Sequence, residues 1–151
     1  MKDDKIYLTK NRSNIKKLVF SNGCFDILHI GHIRYLSEAK KLGTHLVIGL
    51  NSDESVKKLK GKSRPINNVR DRLEMLKSLK VVDSVIIFNE ITPINLIKDI
   101  NPDILVKGGD YDLEKIVGYD YVISRGGSVK TLKFRKKYST SKIIENFENL
   151  K

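Results

Sequence analysis

A short apolar strand is followed by a glycine-bearing loop and two histidines in the stretch Lys17-Leu-Val-Phe-Ser-Asn-Gly-Cys-Phe-Asp-Ile-Leu-His-Ile-Gly-His32. Residues 33–42 then place apolar side chains at helical spacing, which indicates a strand, a loop and a helix start. His29 and His32 can direct both rings at one ligand, and Gly31 between them lets a ligand approach the backbone closely. The free N–H groups of the first helical turn favour a phosphate at the same place. The sequence therefore predicts an anion site at this junction.

Strands and helices alternate along the rest of the chain. This alternation predicts parallel β-α-β units and hence an α/β fold: a single Rossmann-like domain with a doubly wound parallel five-stranded sheet. We assign residues 17–151 to the domain and residues 1–16 to an N-terminal extension, either packed as an arm or mobile. No G-x-G-x-x-G fingerprint follows the first strand, so an NAD enzyme is disfavoured. The predicted strands are 18–20, 45–50, 85–88, 104–106 and 128–132.

Helix ends are predicted from capping residues. The first helix, 31–42, should end with Gly43 at C′, and a second should begin near Val69 with Asn67 or Asn68 as N-cap. A third should start at Thr92-Pro93, with threonine as the cap and proline at the first helical position. Residues 54–68 are predicted as a loop with at most one helical turn. The last helix, 141–150, is expected to bury Ile143, Ile144, Phe147 and Leu150.

The composition excludes several classes of protein and of site. The 151 residues carry a formal net charge of +11 and one cysteine, which excludes a disulfide framework and a multi-cysteine metal site. That cysteine, Cys24, has no apparent base partner for nucleophilic catalysis. The sequence has neither a membrane-span-length apolar run nor a secretory leader, so we expect a cytoplasmic protein without membrane contact.

The positive charge falls in two blocks. It fits either a solvated surface or a rim around polyanionic small molecules. Nucleic-acid binding is disfavoured, because the blocks lack interleaved aromatics and match no binding motif. The first block is Lys57, Lys58, Lys60, Lys62 and Arg64, and the second is Arg125, Lys130, Lys133, Arg135, Lys136, Lys137 and Lys142.

Residues 22–32 resemble the HxGH signature of the cytidylyltransferase-like nucleotidyltransferases, and the resemblance covers nearly all of the chain after residue 17. Three further segments look specifically like the D-glycero-β-D-manno-heptose 1-phosphate adenylyltransferases. They are Ser63-Arg-Pro65, Val106-Lys-Gly-Gly-Asp-Tyr111 and Ser139-Thr-Ser-Lys-Ile-Ile144. One departure stands out: many cytidylyltransferases have arginine and glycine directly before the final Ser-Thr, whereas this chain has Arg135-Lys-Lys-Tyr138.

The resemblance implies a reaction in which a sugar-phosphate oxygen attacks the α-phosphorus of ATP or another nucleoside triphosphate and releases pyrophosphate. Catalysis then comes mostly from positioning two anions and neutralising developing charge. It also implies Mg²⁺ bound with the triphosphate, small-molecule partners and a homodimer, and we name no metal-binding residue. The implied catalytic residues are His29, His32 and Arg72, and the residues near the acceptor phosphate are Lys62 and Arg64. The implied nucleotide-binding residues are Asn22, Gly23, Cys24, Phe25, Asp26, Gly31, Lys107, Asp110, Tyr111, Ser139, Thr140 and Ser141.

Several of these residues have structural alternatives. Asp26 could cap the turn before the helix, the 139–141 hydroxyls could be ordinary N-caps, and Arg72 could form a surface ion pair. His45 matches no motif and is expected to be structural. Alternative functions also stay open: a glycerol 3-phosphate cytidylyltransferase, a GDP-heptose-forming guanylyltransferase, or a nucleotide- or RNA-binding module without catalysis.

Overall fold

The computed structural model describes residues 3–133 and 138–150. Arg135, Lys136 and Lys137 of the second basic block therefore lie outside the described residues. The strands are β1 Leu18–Gly23, β2 His45–Asn51, β3 Ser84–Phe88, β4 Ile104–Gly108 and β5 Ser128–Leu132. The helices are α1 Asp4–Asn11, α2 Ile30–Lys40, α3 Asp53–Lys60, α4 Val69–Lys77, α5 Ile94–Ile100, α6 Tyr119–Ser124 and α7 Thr140–Glu148, with short 3-10 turns at Arg12–Asn14 and Leu113–Lys115.

The five strands form one parallel sheet in the order β3-β2-β1-β4-β5. The chain builds the sheet outward from β1 to β3 and then returns to add β4 on the other side of β1. The strand order therefore reverses between β1 and β4, where open α/β sheets form a crevice at their carboxyl ends. This topology confirms the predicted Rossmann-like, doubly wound five-stranded sheet.

Each face of the sheet supports its own apolar core. One core includes Leu8, Phe20, Ile97 and Val122, and so joins α1, α5 and α6 to the sheet. The other includes Leu36 and Leu76 and joins α2 and α4 to the opposite face. Adjacent β1 residues, such as Val19 and Phe20, point into different cores because side chains alternate along a strand.

Residues 4–11 form a helix that the sequence analysis did not predict. Asp3 caps it by accepting from the N–H groups of Lys5 and Ile6. Leu8 is completely buried in the α5/α6 core, and the Asp4 carboxylate accepts from the Val85 N–H of β3. The segment is therefore packed against the sheet.

Residues 53–60 are also helical, which corrects the predicted loop. The Ser52 hydroxyl accepts from the Ser55 N–H, and acidic first-turn and basic last-turn residues complement the helix dipole. Only Ser55 and Val56 are buried, so the apolar pattern was too short to reveal the helix. By contrast, Asn68 caps α4 as predicted, accepting from two backbone N–H groups.

The end of α2 and the start of α5 do not use the capping residues that were predicted for them. Helix α2 ends at Lys40, and Gly43 is not in the left-handed region. A Cβ there would lie 2.6 Å from the Lys17 carbonyl oxygen, so Gly43 is needed for close packing beside β1. At α5, Pro93 itself is the N-cap, and Thr92 makes no capping bond.

The predicted burial of α7 is wrong. No residue of this helix is buried; Phe147 is 68% exposed, and Leu150 just beyond it is 82% exposed. Ile143 and Ile144 are half-buried. The helix is attached through its N-terminal end, and its apolar side is left largely uncovered by the described residues.

Candidate active site

A cavity of about 870 Å³ opens at the carboxyl edge of the sheet. Its volume lies in the range of sites that bury a small-molecule ligand. Among the residues predicted from sequence, the lining includes Asn22, Gly23, Cys24, Phe25, Asp26, His29, His32, Arg64, Lys107, Tyr111, Ser139, Thr140 and Ser141. Segments separated by more than 100 positions in the chain thus meet in one cavity.

His29 and His32 stack on one another, with ring centroids 3.9 Å apart and an interplanar angle of 25°. His29 is the N-cap of α2, and its Nδ1 accepts a hydrogen bond of 3.1 Å from the Gly31 N–H. An Nδ1 that accepts leaves the proton on Nε2, so Nε2–H is the donor that His29 can offer to a ligand.

Both imidazoles are held in the neutral form at neutral pH. Burial, followed by the neighbouring His29, lowers the pKa of His32 to about 4, and burial lowers the pKa of His29. Neutral rings donate through a single N–H, and a bound polyanion would raise both pKa values.

The signature loop is shaped by close packing. Phe25 has a φ of 46°, in the left-handed region that a bulky residue rarely adopts, and its ring lies 5.2 Å from that of His32. A Cβ at Gly31 would lie 2.9 Å from the His29 ring and 3.2 Å from Cβ of Tyr138. Gly31 thus makes room for the His29 ring, a role the sequence analysis did not foresee.

Asp26 organises the loop that carries Arg64. Its carboxylate is almost completely buried, accepts from Nε of Arg64 at 2.7 Å and also accepts from the N–H groups of Ile66 and Asn67. These hydrogen bonds outweigh burial and lower the pKa of Asp26. The geometry favours an organising role for Asp26 and leaves Arg64 at the cavity wall.

The structure corrects the role predicted for Arg72. Its side chain is fully buried, and it donates to the carbonyl oxygens of Cys24, Asn51 and Asn67 and to the carboxylate of Asp53. Because the guanidinium is fully buried, it can form neither a surface ion pair nor a contact with phosphate. Arg72 instead ties together the segments that follow β1 and β2.

The N-terminus of α7 closes another side of the cavity. Ser139 is the N-cap and accepts from the Lys142 N–H at 3.1 Å. The Thr140 hydroxyl donates to the Ile27 carbonyl oxygen at 3.2 Å, which fixes α7 against the signature loop. The N-terminal ends of α2 and α7 therefore both contribute residues to the lining of the same cavity, and the helix dipoles make the potential there more positive.

A match to a known protein family identifies the class of protein to which this fold belongs. The cytidylyltransferase-like family matches residues 20–146. The chain belongs to this family. Membership confirms the resemblance seen in the sequence and the predicted class of protein, a nucleotidyltransferase.

Curated relatives named "Bifunctional protein HldE" are about 50% identical to this cytidylyltransferase-like chain over the aligned residues. That of Marinomonas sp. is 53% identical over 87% of this chain and 28% of the relative. That of Campylobacter jejuni serotype O:6 is 51% identical over 95% of this chain and 30% of the relative. The chain thus spans less than a third of the length of these relatives.

Two solved structures resemble the cytidylyltransferase-like domain. The lipopolysaccharide core biosynthesis protein from Thermoplasma volcanium has a TM-score of 0.65 and 35% identity, covering 82% of this chain and 98% of that one. A pantoate-beta-alanine ligase from Francisella tularensis has a TM-score of 0.61 and 15% identity, covering 91% of this chain and 67% of that one. At 15% identity the second comparison supports the fold alone.

Some predicted residues do not reach the cavity. Lys62 and Asp110 are exposed and lie outside its lining, so their predicted contacts with phosphate and nucleotide find no support here. Lys107 does line it, half-buried at the end of β4, and burial lowers the pKa of this lysine. Cys24 also lines the cavity, and burial raises the pKa of its thiol, which opposes a nucleophilic role.

Sequence reasoning missed part of the lining. Lys60, which belongs to the first basic block, lines the cavity at the end of α3, a helix that was not predicted. The lining residues to which the sequence assigned no role are Tyr35, Asn51, Leu59, Ile91, Thr92, Pro93, Gly108, Lys115, Ile116, Val117 and Tyr138. Across the described residues, no helix is both long and apolar enough to cross a membrane.

Proposed function

We propose that the chain transfers AMP from ATP to D-glycero-β-D-manno-heptose 1-phosphate, forming ADP-heptose and pyrophosphate for surface polysaccharide synthesis. One observation carries the proposal: the stacked His29 and His32 and the first turn of α7 face a single cavity in a cytidylyltransferase-like chain. The heptose acceptor is supported by the segments 63–65 and 106–111 and by relatives named HldE.

In the proposed reaction, an oxygen of the sugar phosphate attacks the α-phosphorus. A new P–O bond forms, the bond to the β-phosphate breaks, and pyrophosphate leaves with the electron pair. The nucleophile is already an anion, so no side chain has to remove a proton. The work of the protein is to align two anions that repel each other and to stabilise the charge on the α-phosphate and leaving group.

The two histidines suit this task as hydrogen-bond donors. The Nε2–H of His29 is directed by the hydrogen bond that its Nδ1 accepts from Gly31. His32 stacks on His29, and the Phe25 ring lies against it in a tilted orientation, so both neighbours restrict the orientation of the His32 ring. Donors fixed before the reaction need little reorganisation when charge develops, which is the main source of electrostatic catalysis.

We propose that Mg²⁺ arrives as part of the triphosphate substrate. The described residues contain no group of three or more His, Cys, Asp or Glu side chains placed to hold a metal ion. Asp26, the carboxylate in the signature loop, is already engaged by Arg64 and two backbone N–H groups. These side chains therefore fit a Mg²⁺ ion that is held by the phosphate oxygens of the substrate better than they fit a metal ion bound by the protein alone.

We also propose a homodimer, which the family resemblance implies, and a cytoplasmic location, where ATP is available. The apolar side of α7 is a candidate contact surface, since Phe147 is 68% exposed. Light scattering of the purified chain should give twice the monomer mass, and Phe147→Lys should shift it toward the monomer if α7 forms the contact. A monomer mass at micromolar concentration would contradict the dimer.

The function is tested by pyrophosphate release. ATP, CTP and GTP are each combined with heptose 1-phosphate, glycerol 3-phosphate or buffer, with Mg²⁺ throughout. Turnover with ATP and heptose 1-phosphate alone is the expected result. Turnover with another pair would replace the proposed substrates, giving the cytidylyltransferase or guanylyltransferase alternative. Nucleotide binding without any turnover would favour a binding module.

A further inference from the structure

Strands β1 and β4 separate from each other before they reach their carboxyl ends. Within the described strands, β1 and β4 pair only at residues 19–20 with 104–105. Each strand nevertheless stays paired with its other neighbour, β2 or β5, up to its last residue, Gly23 or Gly108. The sheet therefore opens between β1 and β4, at the place where the strand order reverses. Open α/β sheets bind their ligands at such a point.

The hydroxyl of Tyr35 on α2 lies where the pairing stops. It donates to the Val106 carbonyl oxygen at 3.2 Å and forms a hydrogen bond of 2.5 Å with the Ser21 hydroxyl. A phenol has one proton, so the Ser21 hydroxyl donates to the phenol oxygen when Tyr35 donates to Val106. Ser21 and Val106 directly follow the last paired residues of β1 and β4. The Tyr35 hydroxyl therefore links the two strands at the first position where their own pairing has ended.

The burial of this hydroxyl limits what it can do. Tyr35 is 7% exposed, and Ser21 and Val106 are fully buried. Burial raises the pKa of Tyr35 to about 12, although the hydrogen bond with Ser21 opposes the shift. The phenol is thus protonated at neutral pH and is not suited to remove a proton from a substrate. Its contribution is to hold the two strands at a fixed separation.

The residues just beyond this link form two rims of the cavity. On β1, residues 22–23 line the cavity and lead into the signature loop with its two histidines. On β4, residues 107–108 line it. Both segments come directly after a residue that is bonded to Tyr35. The Tyr35 hydroxyl therefore constrains the distance between the two rims.

Lys107 is the charged residue on the β4 rim. Its side chain is half-buried and lines the cavity, and its ammonium forms no hydrogen bond or ion pair with any residue that the structure describes. Burial lowers the pKa of this lysine, because the charged form is poorly solvated. A negatively charged ligand in the cavity compensates for that lost solvation, and a triphosphate carries several negative charges. Lys107 therefore suits a phosphate group of the nucleotide.

We propose that Tyr35 is a positioning residue: its hydroxyl fixes the gap between β1 and β4, so that Lys107 on one rim and the signature loop on the other hold one nucleoside triphosphate between them. This inference rests on the proposed function and adds to it a residue that acts through the placement of Lys107. Without the hydroxyl, the two rims have to be ordered when the nucleotide binds, and that ordering costs affinity.

The binding test uses Tyr35→Phe, with Tyr121→Phe as the matched control. The Tyr121 hydroxyl also donates to a backbone carbonyl, that of Lys98 at 3.3 Å, but Tyr121 lies on α6 outside the cavity lining. Calorimetric titration with Mg²⁺ and a non-hydrolysable ATP analogue gives the Kd. Tyr35→Phe should raise this Kd about fivefold to tenfold, the value of one hydrogen bond, and Tyr121→Phe should leave it unchanged. Equal Kd values for the two variants would overturn the proposal.

Ser21→Ala tests the same link without changing the aromatic ring. It removes the hydroxyl that is bonded to the phenol oxygen and should also raise the Kd for the ATP analogue. Circular dichroism shows whether each variant is folded. If Tyr35→Phe does not fold, a folded Ser21→Ala protein with the wild-type Kd would overturn the proposal.

A double-mutant cycle separates positioning from a general effect on the fold. Lys107→Met should raise the Kd for the ATP analogue about tenfold, because it removes a cation that contacts phosphate. If Tyr35 acts by placing Lys107, adding Tyr35→Phe to Lys107→Met should change the Kd less than about twofold. The same factor for Tyr35→Phe in both backgrounds would mean that Tyr35 serves the fold alone and would overturn the proposal.

The titrations contain no acceptor, so they do not depend on the proposed reaction. Weaker binding by Tyr35→Phe in a chain that shows no turnover with heptose 1-phosphate would remove the proposed function and keep the positioning role. Turnover with ATP and heptose 1-phosphate, together with a wild-type Kd for Tyr35→Phe, would keep the function and overturn the positioning role. A wild-type chain that binds no nucleotide would overturn both.

Discussion

The hydroxyl of Thr140 donates a hydrogen bond to the carbonyl oxygen of Ile27, 113 positions earlier in the chain. This bond connects the first turn of α7 to the loop that carries both histidines. It sets the distance between two helix N-termini that border the same cavity. Because no residue of α7 is buried, this contact has few others to support it.

Thr140→Val should therefore weaken nucleotide binding while the fold persists. Loss of one hydrogen bond of ordinary strength predicts a rise of about fivefold to tenfold in KM for the nucleotide. Steady-state kinetics checks this result, and Thr140→Ser, which keeps the hydroxyl, should stay near the wild type. A lower melting temperature with normal kinetics would mean that the contact serves only the fold.

His32→Ala should lower kcat by about a hundredfold or more, because it removes a fixed donor to developing charge. Circular dichroism should show an intact fold. His45→Ala is the control, since His45 pairs with Ser84 at the amino end of β2, away from the cavity. An unchanged kcat in folded His32→Ala protein would remove this histidine from the mechanism.

Arg72→Met should lower the free energy of unfolding by about 3 kcal/mol, because it leaves the Asp53 carboxylate and three carbonyl oxygens without their shared donor. Urea denaturation measures the change. Arg70→Met, at an exposed position on the same helix, should have little effect. Equal stability of the two variants would contradict the positioning role assigned to Arg72.

The free energy of unfolding should fall as the pH is lowered from 6.5 toward 4.5. Unfolded His32 takes up a proton near its usual pKa of 6.5, whereas in the folded chain it does so only near pH 4. The unfolded state therefore binds more protons in this window and is favoured as the pH drops. The lowered pKa values of His29 and His45 act in the same direction.

Urea denaturation at several pH values between 7 and 4.5 tests this dependence. Asp26 has a usual pKa of 3.8 that is lowered in the folded chain, so its contribution falls mainly below this window. His32→Gln should show a shallower loss of stability than the wild type. Identical slopes would mean that His32 titrates normally in the folded protein.

The five strands, the helices α2, α4 and α5 and the loop that carries the two histidines were predictable because they depend on local patterns. Alternating apolar strands and amphipathic helices specify parallel β-α-β units, and the 17–32 segment places His29 and His32 at a helix start whatever the remaining packing. Capping at Asn68 was likewise readable from neighbouring residues alone.

The features that could not be predicted from sequence depend on contacts between residues far apart in the chain. Arg72 looks like an ordinary helix-surface arginine in sequence, and only folding brings the Cys24 and Asn51 carbonyl oxygens within its reach. Amphipathic spacing predicted a buried face on α7, but periodicity cannot tell whether another part of the same chain will cover that face. Local residue patterns thus determined the strands and the placement of both histidines at a helix start, whereas the cavity that joins the signature loop to the first turn of α7 depended on tertiary packing between segments distant in the chain.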